Sequence, residues 1–528
     1  MDYVIGVDIG TQSTKAIVLR LDGKIAGQAS AGYEVDRPEP LWAEQWPTVW
    51  SKAVYRTIVE SVRASGATAQ EIRGICVSSL YGGAGIPVNK EMRPLYPCLI
   101  WMDRRAADIV SWVNQHVDTE KLFRITGNGL DSYYGYTKML WIKRHCPDVW
   151  REIHQFLPPN TYINYLLTGH VAVDHCSAGN IGGVYDMNAR RWSDAALDML
   201  GIPRRFMPDR LVDSSAVVGG LLPSAADELG LLPETPVMAG GVDAAVATLA
   251  AGVMAPGDHV AMIGTSMCWG YINPEVDAAN RLVSMPYVIN SRRDNYIFGG
   301  AGTAGAAVSW FRDTFCQSEV RAAAQTPGVD AHDLLERQAH GVDAGSGGVL
   351  FLPYLMGERS PLWDPYASGA FLGMSLTHTK GHLYRAVLEG IAFALRDNME
   401  CGRKGAVWLE PRLIVVGGGA RSDLWMQIIA DVTGYPVVTM QEEVEAPLGD
   451  AVLAALGAGL IHDAAIVRSW SRLEERARPD ASRHAHYDLL FKQYQEVYLN
   501  LKENMCRLKT LADENYIANQ PDLAEEQH

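Results

Sequence analysis

The sequence predicts an α/β protein of at least two domains built on mixed sheets, and three observations carry that expectation. Short β-rich runs alternate with stretches of helical periodicity from the first residues onward. The chain has 528 residues, too many for a single hydrophobic core. A strand that runs into Ile-Gly-Thr occurs twice, as Val7-Asp8-Ile9-Gly10-Thr11 and as Ala261-Met262-Ile263-Gly264-Thr265, which is the mark of an internal duplication.

Taken in order, strand-like pieces at 3–8, 15–20 and 25–33 form a β-meander, with the turn pair Asp22-Gly23 between the second and third. A helix follows over about 47–64, where Val49, Trp50, Ala53, Val54, Ile58 and Val62 fall at helical spacing. Residues 72–78 and 95–101 read as short buried strands. The stretch 158–192 reads as loop-rich, with a helix ending at Leu167-Thr168-Gly169. Residues 236–252 form a strand–turn–helix unit around Gly240-Gly241 and Asp243. Pro256-Gly257-Asp258 is the candidate hinge, so the expected units are 1–255, 256–480, and a C-terminal helix with a polar tail over 481–528. Past the hinge, strands at 259–266 and 269–272 are followed by helices at 305–315 and 382–399. A strand at 413–416 then runs into Gly417-Gly418-Gly419. The last helix, about 487–512, lines up Leu490, Tyr494, Val497, Leu501, Met505 and Leu508, a stripe expected to pack on the second unit. Residues after Glu514 are polar and are expected to fray.

Composition narrows the function. Hydrophobic residues make up 48% and charged residues 20%, the profile of a soluble globular chain. The 61 acidic and 46 basic side chains leave a net charge of −15, which argues against nucleic acid as a partner because counterion displacement needs basic patches. Eight scattered cysteines form no Cys-x-x-Cys pair, so they read as reduced, buried small hydrophobes, and no Cys/His metal spacing occurs. The longest apolar stretch, 237–255, is broken by Asp243, so no membrane span is expected. The chain enters a strand at once, with no signal peptide, and a cytoplasmic location is expected.

The segment 8–15 is the most informative. Gly10, Thr11, Gln12, Ser13 and Lys15 offer backbone N–H groups, short polar side chains and one cation, a turn able to wrap a phosphate. Asp8 beside it would repel phosphate unless a cation lay between them, which points to Mg²⁺. The same residues also suit an ordinary hairpin. Gly264-Thr265-Ser266 repeats the turn, and Gly417–Gly419 is either a tight strand-to-helix connection or bare backbone against which a flat ring can lie. Asp243 is either a helix N-cap or a carboxylate aimed into a cleft.

These features recur in one order in the FGGY family of carbohydrate kinases, which the chain resembles from about residue 3 to 460, most closely its xylulokinases. The stretch Gly417-Gly418-Gly419-Ala420-Arg421-Ser422-Asp423 is the most specific. Trp101-Met102-Asp103-Arg104-Arg105, Gly240-Gly241-Val242-Asp243-Ala244, Gly357-Glu358-Arg359-Ser360-Pro361 and Glu389-Gly390-Ile391 are also similar. The resemblance implies two actin-like (ribonuclease H-like) domains flanking a catalytic cleft, and transfer of the ATP γ-phosphate to a sugar or polyol hydroxyl. It implies Asp243 as general base and Asp8 as the Mg²⁺ carboxylate. Gly10, Thr11, Gln12, Ser13, Lys15, Gly264 and Thr265 would meet the phosphates, and Gly305, Ser309, Gly418 and Gly419 the nucleoside. The acceptor would lie near Ser79, Leu80, Tyr81, Asp103 and Asp243. Here the chain departs from the family pattern: xylulokinases usually carry Gly-Gln-Met-His-Gly where this chain has Ser78-Ser79-Leu80-Tyr81-Gly82. Xylulose, another ketose, a short polyol or a linear signalling molecule therefore all stay open as acceptor, as do a non-catalytic nucleotide-binding role and a homodimer.

Overall fold

Two sheets, each sandwiched by helices, account for most of the chain. The computed structural model describes residues 1–276, 282–440, 445–470 and 473–518. The first sheet contains β1 (Tyr3–Ile9), β2 (Ser13–Arg20), β3 (Ile25–Gly32), β4 (Ile72–Ser79), β5 (Val217–Gly220) and β6 (Pro236–Met238), in the order β5-β6-β4-β1-β2-β3. The second contains β7 (His259–Ile263), β8 (Met267–Asn273), β9 (Val283–Pro286), β10 (Asn295–Ala301), β11 (Leu413–Val416), β12 (Val437–Met440) and β13 (Leu473–Ala477), in the order β9-β10-β8-β7-β11-β12-β13.

Strand sense repeats as well as strand order. β1 is antiparallel to β2, β2 to β3, and β1 is parallel to β4, which is parallel to β6. β7, β8, β10, β11 and β12 reproduce these relations one for one. In each half the hairpin carrying Ile-Gly-Thr therefore opens at the carboxyl end of a central parallel strand. Ligands in open α/β sheets bind at these ends.

The helices used below are α1 (Pro47–Ser65), α2 (Pro159–Thr168), α3 (Asp243–Ala250), α4 (Gly305–Phe315), α5 (Lys380–Arg403), α6 (Asp423–Thr433), α7 (Ala446–Gly457) and α8 (Ala481–Ala518). α1 starts on Pro47, ends on a left-handed Gly66, and buries Trp50, Val54 and Ile58 against the first sheet. α7 comes between β12 and β13 of the second sheet in sequence but lies on β1 and β4 of the first, beside α3. A Cβ at Gly6 would run into the Pro447 carbonyl and come within 2.6 Å of Ala451 N, so glycine is what lets α7 lie flush on β1.

Three expectations need correction. Residues 95–101 do not form a strand: only Cys98–Leu99 pairs, with Glu44–Gln45, because Pro94 and Pro97 remove ladder donors. The stretch 158–192 is less loop-rich than expected: α2 fills its start and ends before Gly169, as expected, and a short helix follows at His175–Asn180. α8 packs on the second half as expected, with Leu490, Tyr494, Val497, Leu501 and Met505 joined by Tyr487, Phe491 and Tyr498, but Leu508 of the expected stripe faces solvent. The helix continues to Ala518, and the rest of the expected polar tail lies outside the described residues. The 256–258 junction is pinned: Gly257 N donates to Ile272 O, while Asp258 accepts from Met254 N and Ala255 N and pairs with Arg468 at 2.6 Å. Among the described residues, no helix is long and apolar enough to cross a membrane.

Candidate active site

Three strand ends of the first sheet converge on two acids. Asp8 closes β1, Ser78 and Ser79 close β4, and the turn after β6 leads to Asp243, with Ser79 N donating to Gly241 O at 3.0 Å and Leu80 N to Ile9 O at 2.7 Å. Asp243 does not cap α3. Val242 holds the cap position, and among the described residues Asp243 Oδ1 accepts only from its neighbour Ala244 N, at 2.6 Å. Burial pushes both carboxyls above the usual carboxylate range, and for Asp8 the charge of Asp243 adds to it. Two acids so placed cannot both ionise cheaply without a cation.

The first turn is held from beneath. Tyr33 Oη donates to Gly10 O at 2.7 Å, Gln45 Nε2 to Thr11 O at 3.0 Å, and Trp101 Nε1 to Thr11 Oγ1 at 3.0 Å. Gly10 N closes the turn on Ser13 O at 2.9 Å, and Gln12 is exposed at its tip. The Lys15 ammonium pairs with Glu445, the residue before α7, so this cation bridges the two halves.

The second sheet gathers its own set. Gly264 N closes on Ser266 O at 3.0 Å, and the start of α4 docks on this turn, with Gly305 N donating to Gly264 O and Ala304 N to Thr265 O, both at 2.9 Å. A Cβ on Gly305 would sit 2.6 Å from Gly264 O, and one on Gly417 2.6 Å from Ile263 O, while Gly417 itself has φ 95°. Gly418 has open space where a side chain would start, and Ser309 lies one helical turn beyond Gly305. Gly305 against Gly264, and Gly417 and Gly419 against Ile263, thus bring these turns together at the ends of β7 and β11.

The residues expected around the acceptor are placed differently. Asp103 is 0% exposed, and its oxygens accept from Ala43 N at 2.7 Å, Arg105 Nε at 2.8 Å and Arg105 N at 3.1 Å. The Tyr81 hydroxyl takes Gly135 N at 2.7 Å and donates to Ile181 O at 3.3 Å. Ser79 is buried and accepts from Asn160 N at 3.2 Å. Ser79, Leu80 and Tyr81 line a space of about 10 Å³, room for one water-sized group. Each of the three polar side chains is thus engaged within the protein.

Between the halves lies an open cleft of about 610 Å³, lined by Leu41, Trp42, Trp101 and Arg104 on one side and Gly302, Met356 and Arg359 on the other. Glu358 Oε2 and Arg359 Nε are buried there without hydrogen-bond partners. Burial pushes the Glu358 carboxyl up to about 7. Trp101, which lines the cleft, also donates to Thr11 Oγ1, so the cleft borders the first turn. Sequence reasoning missed Tyr33, Gln45, Ser78 and Asp450. Only Asp450 carried a local signal, as the one acid in the Ala-, Val- and Leu-rich run of α7.

Known proteins are similar to this chain over most of its length. The N-terminal domain model of the FGGY family of carbohydrate kinases matches residues 3–250, and its C-terminal domain model matches residues 259–458. Xylulose kinase from Bacillus subtilis is 29% identical over 97% of this chain and 99% of its own. Gluconokinase from the same organism is 29% identical over 87% of this chain and 88% of its own. The crystal structure of xylulose kinase from Rhodospirillum rubrum superposes with a TM-score of 0.85 at 31% identity, covering 95% and 99% of the two chains. The two-domain, actin-like expectation therefore holds. With matches over most of its length, the chain belongs to the FGGY family of carbohydrate kinases and is a sugar kinase of the xylulokinase-like kind.

Proposed function

We propose that the protein transfers the γ-phosphoryl group of ATP to a hydroxyl of a ketopentose of the xylulose type, with Asp243 as general base. The observation that carries this reading is the state of Asp243: a carboxylate at the first turn of α3, spared from capping and bonded, among the described residues, only to Ala244 N. In the reaction the acceptor oxygen bonds to phosphorus as the bond from phosphorus to the ADP oxygen breaks, and the hydroxyl proton passes to an Asp243 oxygen. Positioning and charge neutralisation supply most of the rate in such transfers.

The donor set suits Mg²⁺, a hard cation that takes one or two carboxylates and completes its shell with water and phosphate oxygens. Asp8 would hold it. Among the described residues no cluster of three or more His, Cys, Asp or Glu side chains forms a metal cage, in keeping with that sparse mode. Bound there, Mg²⁺ neutralises phosphate charge and draws the Asp8 carboxyl back to its ionised form. Thr11, Ser13 and the 264–265 turn would hold the phosphates, and Gly305, Ser309, Gly418 and Gly419 the nucleoside. Lys15 would exchange Glu445 for phosphate. Residues 1–255 would carry the acceptor and 256–480 the nucleotide.

For the acceptor, the engaged polar groups at Ser79, Tyr81 and Asp103 support a shaping role rather than direct bonding. Asp103 would set Arg105 against Trp42, whose ring lies 3.6 Å from the guanidinium carbon. One observation favours a second reading: Arg359, with an unpartnered Nε, and Arg104 both line the cleft, which suits an acceptor bearing a carboxylate, as the similarity to gluconokinases also suggests. The test is a panel of D-xylulose, L-xylulose, ribulose, glycerol-type polyols and D-gluconate, read by coupled ADP release. Highest kcat/KM on a ketopentose supports the proposal; highest on D-gluconate replaces it with the second reading; no turnover on any sugar overturns both.

A further inference from the structure

One serine beneath the cleft serves two carboxyl groups. Ser78 Oγ lies 2.6 Å from Asp450 Oδ2 and 3.2 Å from Asp8 Oδ1. Asp450 belongs to α7, which the second half of the chain lays on β1 and β4, and it is fully buried. Its other oxygen meets the Cys76 thiol at 3.5 Å. No ion pair reaches it among the described residues, and α7 is otherwise apolar from Pro447 to Ala455 apart from glycine.

A hydroxyl carries one hydrogen, so Ser78 cannot donate to both acids. Both bonds form together only if one of the two acids brings a proton of its own; where Asp8 is ionised, that acid is Asp450, which donates to Ser78 Oγ and leaves the serine hydrogen to point at Asp8. Burial of Asp450, with the Asp8 charge nearby, favours that protonated form. An alanine at this position would pack into α7 without the cost of desolvating an acid. The acid is therefore tied to what it does for its neighbours.

We propose that Asp450 is a positioning residue for phosphoryl transfer: reaching in from the second half of the chain, it aims the Ser78 hydroxyl at Asp8 and so fixes the carboxylate that faces the metal. This rests on the reading of Asp8 as the Mg²⁺ carboxylate. It makes the seat of α7, where the two halves meet, part of the metal site. Groups that orient metal-ligating carboxylates typically change affinity or activity by about 10- to 100-fold when removed.

The experiment uses the full chain as wild type, Asp450→Asn, Asp450→Ala and Ser78→Ala. Half-saturating Mg²⁺, kcat and acceptor KM are measured at saturating ATP, alongside the thermal shift on adding ADP with and without Mg²⁺. Asparagine keeps an N–H for Ser78, so Asp450→Asn should stay close to wild type. Asp450→Ala and Ser78→Ala should raise half-saturating Mg²⁺ about 10- to 100-fold, leave acceptor KM unchanged, and lose the Mg²⁺-dependent part of the thermal shift. A wild-type Mg²⁺ response in Ser78→Ala, or equal damage in the Asn and Ala variants, overturns the proposal. Should Asp450→Ala fail to fold, Ser78→Ala decides alone. Should the wild type show no Mg²⁺-dependent shift, the metal reading itself has failed, which is a different result.

Discussion

Asp243 and Asp8 are costly residues where they stand, and that cost makes them testable one at a time. Burial raises both carboxyls, so Asp243 collects its base form at a higher pH than an ordinary aspartate near 4. The acid limb of the kcat/KM profile should accordingly lie well above that value, with a slope of one proton; a flat profile down to pH 5 would contradict the assignment. Stability follows the same sign. A carboxyl with a raised folded-state pKa keeps its proton in the folded chain where the unfolded chain has lost it. Its stabilising contribution is complete below the unfolded value near 4 and is lost as pH rises through the raised folded value. Asp243→Asn, free of nucleotide and metal, should therefore melt higher than wild type at pH 8, with the gap closing toward pH 4. Melting curves across that range decide it.

Between elements, glycine sets how closely backbone approaches backbone. Gly417 takes a left-handed φ and abuts Ile263 O, so Gly417→Val should raise the KM for ATP while leaving the acceptor KM unchanged, as steady-state kinetics with each substrate varied would show. Gly6→Val should push α7 off β1 and cost about 1–3 kcal/mol, measured by denaturant unfolding. The first of these glycines was legible in the sequence, because a strand running into Gly-Gly-Gly is a local signal. The second was not, since its partner helix lies at the far end of the chain. Locality also separates the other outcomes. β1 to β3 and α4 were legible from alternation and helical period. The strand expected at 95–101 failed on two prolines; the end of α2 was legible at Gly169, while its start was masked by asparagines that bury their amides against Met238 O and Ala239 O. Ser79 and Tyr81 were legible as a departure from the family pattern and Asp103 as a match to it, but their buried partners were not.

At the scale of the molecule, two sheets of the same strand order each carry an Ile-Gly-Thr hairpin at the carboxyl end of a central strand. In the proposed reading the carboxylates belong to the first half and the glycine turns to the second, so the reaction would need both. α7 seated on the first sheet and Lys15 paired with Glu445 already join the halves. Closure over both substrates would keep water from the phosphoryl group. The radius of gyration by solution scattering should thus fall when ADP, Mg²⁺ and the acceptor are added together, and by less with any one omitted. The central claim, a carboxylate at the start of α3 that takes the acceptor's proton, is tested most directly by Asp243→Asn with ATP binding and turnover measured on the same sample. The account predicts unchanged ATP affinity and turnover lower by about 10²- to 10⁴-fold on the best acceptor. Turnover near the wild-type rate would contradict it.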